Sequence, residues 1–485
     1  MGGLSKKAYQ LGKIRSLHKL SSLTIDAGNL LFKQESLPPA MLEQAMISAE
    51  AIIESYNLMQ YDAVAVGSND LAAGLSFLEK QAARSNFKWL SANLVRKSTG
   101  KPVFSAVIIR QIGDIRVGII GLTNNAADAR LHHDEDAILL PWQDILPALV
   151  AELSSQCDML ILLSNNPNAE NIEIVNSLAD VHLLIPSSPR SDNSAPQLVN
   201  KSIIAQTGKQ GKYLGWMLID WQASRTWGRD GVTRELATRK QELDGINGRI
   251  SRIERNTARE NLAAHTSYLN LLAARDQVLS RIVFLENEQK ALQEAGNFSS
   301  TFENYFIALE MNLPDQPEVQ KIVETAKLKV NEAGRSKASA SASSSVKQEF
   351  KIGKLAFTGW ETCANCHAAQ TDFWRNTAHF SAYNTLVEDE QQFNLDCLPC
   401  HVTAEYGATR INGNGSMLLS LPSVLQQVGC ELCHGPGKIH AATQDPAAIS
   451  RIPAAAICLR CHTPERDEEF NYDNDVERIA CPASN

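Results

Sequence analysis

The sequence predicts a multidomain chain: a layered α/β domain over residues 1–230, a helical coiled-coil hairpin over 231–297, and a mostly helical, irregular segment over 351–485. Three observations predict it. In the first part, short apolar runs alternate with amphipathic stretches, the pattern of a sheet carrying helices on its faces. Apolar residues then recur every seven positions. Near the C-terminus the pentapeptide Cys-x-x-Cys-His occurs four times.

The α/β part opens with a helical pattern over 4–20 and a strand over 23–26. A helical stretch over 41–58 follows, then a strand over 63–67. Further strands are predicted over 89–92, 103–110, 117–121, 159–163 and 181–185. Cys157, just before one of these strands, reads as a small buried side chain. His18, His132, His133 and His182 read as surface or satisfied core histidines, with Asp134, Glu135 and Asp136 giving His132-His133 a weak metal-binding aspect.

In the second part Leu236, Leu243 and Ile250 repeat every seven residues, with Ile246 and Ile253 between them. Leu271, Val278, Leu285 and Leu292 repeat in the same way, with Ile282 between. The pattern is that of an antiparallel helical hairpin or a longer coiled coil, with the polar connection over 256–265 as the expected turn, and it serves as a spacer or a dimerisation seam. A return strand (302–313) and a helix (315–333) occupy the stretch 298–334. The Ser/Ala-rich tract in 335–350 reads as a flexible linker.

The four motifs are Cys363-Ala364-Asn365-Cys366-His367, Cys397-Leu398-Pro399-Cys400-His401, Cys430-Glu431-Leu432-Cys433-His434 and Cys458-Leu459-Arg460-Cys461-His462. They use eight of the ten cysteines. This is the attachment signature of c-type haem: two sulfurs add across the porphyrin vinyl groups, and the histidine is the proximal axial ligand of the iron. Structural zinc is the competing explanation of paired cysteines, but it does not account for a histidine directly after every pair. The expected cofactors are therefore four covalently bound c-type haems.

Covalent haem attachment takes place outside the cytoplasm, so an exported protein of a bacterial periplasm or cell surface is expected. Met1-Gly2-Gly3-Leu4-Ser5-Lys6-Lys7 is not followed by an apolar signal core, and the start of the protein is expected upstream. No apolar run is long enough to span a bilayer. A net charge of −8 argues against nucleic acid or an anionic membrane as the main partner.

Residues 2–222 resemble the calcineurin-like metallophosphoesterase domain of periplasmic 5′-nucleotidases. The resemblance rests on Gly2-Gly3-Leu4, Asp26-Ala27-Gly28-Asn29, the strand from Tyr61 to Asp70, Leu163-Ser164-Asn165, the turn at 185–190, and Gln206-Thr207-Gly208 with Gly211-Lys212-Tyr213-Leu214-Gly215. It implies two metal ions held by Asp, His and Asn, activating a hydroxide for in-line attack on phosphorus. The ligand positions have changed. Asn29 stands for an aspartate, Ser68-Asn69 for an Asn-His pair, Asn165 for a histidine, and Ser188 and Arg190 for two more. The family's opening Asp-x-His would lie upstream of Met1. Asp26 and Asp70 alone cannot hold two divalent ions, so the domain reads as one that has lost its hydrolase chemistry.

Residues 351–485 resemble the tetrahaem cytochrome c-554-type family, on Phe373-Trp374, Thr377-Ala378-His379, the second motif with Val402-Thr403, the third motif through Gly437 and His440, and the fourth motif through Pro464. The resemblance implies that His379 and His440 are distal iron ligands. Cys481-Pro482 falls where the family has a His-Pro pair, which makes Cys481 a further candidate; Met417 reads as packing. His265 and a second subunit are other sources of ligand. An iron closed by two histidines only passes electrons, whereas an open iron binds small molecules.

Two functions follow, and a third stays open. The first is electron transfer through closely packed haems to redox partner proteins, other cytochromes among them, with self-association through the coiled coil or the haem segment. The second is a haem enzyme acting on a small inorganic molecule at an open iron. The third is a metal-dependent nucleotide phosphohydrolase with a fused cytochrome.

Overall fold

The computed structural model describes the chain except for residues 1–2, 125–130, 132–135, 188–192, 209–210, 223–226, 228–230, 257–261, 263–265, 295–299, 344–356, 405–414, 464–465, 468–469 and 483–485. It divides into two compact units. One comprises Gly2–Glu35 and Ser55–Gln316, the other Ser36–Glu54 and Pro317–Asn485. Helix α1 (Gly3–His18) belongs to the first, and the boundary falls inside α2 (Leu42–Leu58).

The larger unit is built on two sheets. β1 (Ile25–Asp26), β2 (Ala63–Ala65) and β3 (Lys88–Leu90) form a short parallel sheet, with α3 (Leu75–Arg84) between β2 and β3 in the chain. β4 (Leu94–Arg96) pairs separately with β7 (Ala137–Leu139). The main sheet runs β10 (Ser194–Val199), β11 (Ser202–Gln206), β9 (Leu183–Pro186), β8 (Met159–Ser164), β6 (Ile115–Leu122), β5 (Val107–Ile112). β6, β8 and β9 are parallel, and β5 and β10 close the two edges antiparallel.

The period of two along a strand sorts the core. Val117, Ile119, Met159, Ile161 and Leu163 pack with Ala63, Ala65 and Leu90 of the short sheet. Ile120, Leu122, Leu160, Leu162 and Leu184 pack on the opposite face, against Trp142, Leu146 and Val150 of α4 (Trp142–Ser154) and Ile174 and Val175 of α5 (Asn168–Ser177). Both faces of β8 are covered, which is why that strand reads as an unbroken apolar run. The sheets approach closely at Gly121: a Cβ there would lie 2.4 Å from the Leu90 carbonyl oxygen.

β12 (Tyr213–Asp220) pairs antiparallel with β13 (Thr301–Ala308), in register from Tyr213–Ala308 to Asp220–Thr301. Between these two strands the chain forms α6 (Gly231–Asn256) and α7 (Thr266–Glu294). Leu236, Ile246, Ile250, Val278, Ile282 and Leu285 are their shared buried seam. The Glu254 carboxylate accepts from Tyr268, and that of Glu235 from Arg281, so the helices run antiparallel. The expected turn lies almost wholly outside the described residues, as does His265.

The smaller unit corrects two expectations. The stretch 36–54, expected in the α/β domain, packs with the C-terminal segment. The Gln44 amide donates to the carbonyls of Val330 and Phe393 and accepts from Leu395 N–H. The Ser/Ala-rich tract was expected to be a flexible linker, yet α8 (Pro317–Ser343) runs through its first half. Alanine is the best helix former, and small serines do not obstruct the turn. Lys337 anchors that stretch through the Ala40 carbonyl and Glu43. Leu386, Leu395, Leu398, Leu419 and Leu425 form the core beside Ala40, Met41 and Ala338.

Candidate functional site

Each Cys-x-x-Cys-His motif lies on or beside a single helical turn. These turns are Trp360–Ala364, Leu398–His401, Cys430–His434 and Ala455–Cys458. The N–H of His367 bonds the Cys363 carbonyl at 2.9 Å, and that of His462 the Cys458 carbonyl at 3.0 Å. One turn places positions i, i+3 and i+4 on one side, so both sulfurs and the imidazole address the same space.

The motifs meet in pairs. The thiol of Cys363 is hydrogen-bonded to Cys430, and that of Cys461 to Cys400. This contact, followed by burial, pushes the Cys363 thiol up. The bond from Cys461 draws Cys400 down to about 6. Burial raises Cys433 to about 11, with Cys458 and Cys481 adding to it. The first motif therefore abuts the third, and the second abuts the fourth.

The histidines also pair. His440, on the helical turn Lys438–Thr443, faces His367 with ring centres 6.1 Å apart and planes 24° apart. His379, on the helix Ala378–Glu388, faces His462 at 6.1 Å with planes 66° apart. Two imidazoles that share a metal through bonds of about 2 Å have ring centres about 6 Å apart. The spacing thus fits an iron between each pair. Burial, and next the charge of His462, holds the His379 imidazole below its ordinary range, which keeps a lone pair free. Among the described residues no histidine faces His401 or His434 in this way. Cys481 is exposed, near Cys430 and Cys433, and the carbonyl of the following Pro482 accepts from the Gln370 amide at 3.0 Å.

The far ring nitrogens of four of these histidines are occupied. Nδ1 of His401 lies 2.6 Å from the Ala382 carbonyl, that of His434 2.7 Å from Ser450, and that of His440 2.9 Å from Asp445. Nδ1 of His462 meets a carboxylate instead, Asp467 Oδ2, at 2.7 Å. An N–H donated from Nδ1 fixes the tautomer and leaves Nε2 free for a metal. Sequence reasoning missed these partners. Three of them are backbone carbonyls, which no residue type marks, and the fourth is a lone carboxylate in a polar loop.

It also missed Glu431, inside the third motif. This buried carboxylate accepts from the backbone N–H groups of Thr358, Gly359 and Gly437 at 2.7–2.9 Å. It ties the start of the segment to the Gly435-Pro436-Gly437 turn that leads into the His440 helix.

In the larger unit the fold does gather the altered phosphoesterase positions, at the C-terminal ends of β1, β2, β8 and β9. The Asn29 side chain accepts from Asn69 N–H at 2.9 Å and donates to the Ser187 carbonyl at 3.2 Å. The Asn165 side chain accepts from Ser68 N–H at 2.8 Å and donates to Ser187 Oγ at 2.9 Å. Asp26 accepts from Gly28 N–H and from Tyr56 Oη–H. Asp70 accepts from the N–H groups of Leu31, Asn29 and Gly67. Burial still pushes its carboxyl up to about 7, against the pull of those three donors. Gly28 makes the crowding feasible: at φ 96°, a Cβ would sit 2.5 Å from the Ala65 carbonyl oxygen. Ser188, Arg190, His132 and His133 lie outside the described residues. His182 is a satisfied core histidine, its Nδ1 accepting from Leu160 N–H at 2.9 Å.

Comparison with known proteins bears on both ends of the chain. Residues 362–435 match the family model described as cytochrome c554 and c-prime. Cytochrome c-554 of Nitrosomonas europaea is 35% identical over 97 residues, 17% of this chain and 39% of that protein. Protein UshA of Salmonella pullorum is 36% identical over 100 residues, 20% of this chain and 18% of that protein. A 5′-nucleotidase of Vibrio cholerae is 25% identical over 220 residues, 38% of this chain and 40% of that protein. The chain thus spans between about a fifth and two fifths of the length of these relatives. It joins a cytochrome c554-type domain at its C-terminus, a type that implies covalently bound c-type haem, to a region similar to the 5′-nucleotidases.

Proposed function

We propose that this is an exported electron-transfer protein with four c-type haems, whose nucleotidase-like region no longer hydrolyses phosphoesters and serves binding or assembly. The observation that carries the reading is the pairing of His367 with His440 and of His379 with His462 at iron-spanning distance. The eight motif cysteines, Cys363, Cys366, Cys397, Cys400, Cys430, Cys433, Cys458 and Cys461, hold the haems. His367, His401, His434 and His462 are the proximal ligands, and His440 and His379 close the first and fourth irons. When bound, haem supplies a one-electron couple that needs no proton transfer when both axial positions stay filled. The protein's part is to fix the imidazoles through their Nδ1 partners and to hold the motifs side by side, which supports rapid exchange between neighbouring sites.

Loss of hydrolysis follows from the donor set. A two-metal phosphoesterase needs carboxylates and imidazoles around two ions. Here the Asn29 and Asn165 amides are bonded at both ends to neighbouring protein groups. The remaining carboxylates already hold backbone and phenol hydrogens.

One observation favours a second reading, a small-molecule reaction at an open iron: the described residues place no histidine opposite His401 or His434. Cys481, beside Cys430 and Cys433, is the candidate for the iron of the third motif.

Film voltammetry of the purified protein, run beside a nucleotide-hydrolysis assay with added manganese or zinc, tests the proposal. Reversible uptake of four electrons per chain without phosphate release is expected. Phosphate release above a metal-only blank would overturn the loss of hydrolysis, and a catalytic current with nitric oxide would favour the open-iron reading.

A further inference from the structure

His462 differs from His401 and His434 in what holds its far nitrogen. His401 and His434 lean on backbone carbonyls, those of Ala382 and Ser450. His462 leans on the Asp467 carboxylate, Nδ1 to Oδ2 2.7 Å. The arrangement is built. Asp467 is fixed by its own N–H, which bonds the Thr463 carbonyl at 2.8 Å. Phe470 stacks on the His462 ring at 4.4 Å and 20°, so the imidazole is pinned on its face as well as at its edge. Arg466, the neighbour of Asp467, extends away to the Asp396 carbonyl at 3.5 Å. The His379 ring centre lies 6.1 Å away, with the planes 66° apart.

We propose that Asp467 sets the reduction potential of the iron held by His462 and His379, keeping it below the value a carbonyl partner would give. The inference rests on the proposed haem ligation. A carboxylate accepting the Nδ1 proton makes the imidazole a stronger donor, because negative charge is shared onto the ring. A more electron-rich ligand stabilises ferric over ferrous iron, and hydrogen bonding beyond the ligands is one of the levers by which proteins tune haem potential. One electron changes the iron between these states, and no bond or proton is exchanged. The carboxylate therefore acts as a fixed charge. It biases one of the sites toward electron donation, so electrons arriving there run downhill to neighbours whose histidines lean on carbonyls.

The test is a spectroelectrochemical titration of the purified holoprotein, comparing wild type with Asp467→Asn and Asp467→Glu, with haem counted in each. In Asp467→Asn one midpoint should rise by at least the equivalent of a tenfold change in the reduced-to-oxidised ratio, 59 mV for a one-electron couple. The other midpoints should stay, and Asp467→Glu should restore most of the shift. Unmoved midpoints in an Asp467→Asn protein with full haem content would overturn this inference alone. So would a common shift of all midpoints or haem loss in both variants, which would make Asp467 merely structural. A wild type without haem would overturn the ligation reading, and the inference with it.

Discussion

His367 and His440 stand 73 residues apart in the chain, yet their rings face each other with centres 6.1 Å and planes 24° apart. His379 and His462 keep the same separation with planes 66° apart. The difference in angle has a spectroscopic consequence. Near-parallel imidazoles donate into the same iron d orbital and split the pair, which gives a rhombic low-spin signal. Near-perpendicular imidazoles leave the pair almost degenerate, which gives a strongly axial one. Low-temperature EPR of the oxidised protein should contain one of each from these two sites. Two rhombic signals without an axial one would contradict the His379–His462 geometry.

Removing one partner should open one iron and only one. His440→Ala leaves His367 and its turn intact, because among the described residues the His440 side chain hydrogen-bonds only to the nearby Asp445 carbonyl. The rhombic signal should give way to a high-spin signal that cyanide converts back to low spin. The signal of the fourth motif should not move.

Glu431 is the strongest stability lever in the haem segment. Its carboxylate accepts from three backbone N–H groups in the interior. Glu431→Ala strands those donors, and each buried unpaired group costs about 1–3 kcal/mol. Thermal unfolding followed in the Soret band should show this unit weakened by about 3 kcal/mol or more. The larger unit, followed through its own transition, should be unaffected.

Asp70 should make the larger unit less stable as pH rises. Its folded carboxyl titrates near 7, above the unfolded value, so folding favours the protonated form. The stabilisation is complete below the unfolded value near 3.8 and is lost as pH rises through 7. Urea unfolding between pH 4 and pH 8 should show a falling midpoint in wild type, with a slope of at most about 1.4 kcal/mol per pH unit. Asp70→Asn should lack that component, and equal slopes in the two proteins would refute it.

What was legible in the sequence follows from how local each signal is. β6 and β8 were readable because burial on both faces turns them into unbroken apolar runs. The seam of α6 and α7 was readable because Leu236, Ile250, Val278 and Leu285 repeat in sevens. β4, β7 and β10 were not, being three residues long or carrying Ser, Pro and Gln. The Ser/Ala tract is ambiguous by composition, since small residues suit both a linker and a helix, and packing of Lys337 and Ala338 decides. At the site, the sequence offered six histidines for the motifs and their far sides. It could not say that His440, six residues after His434, pairs with His367 instead. That pairing is set by the Gly435-Pro436-Gly437 turn and by Glu431, which brings Gly359 and Gly437 together. Asp467 escaped notice because a lone carboxylate in a polar loop has no signature until the fold places it on a ring nitrogen.

The most direct test of the central claim is the number of haems per chain. Intact-mass spectrometry of the purified protein, with a pyridine haemochrome assay on the same sample, should give four covalently attached c-type haems. Fewer than four, or zinc in place of iron, would contradict the account.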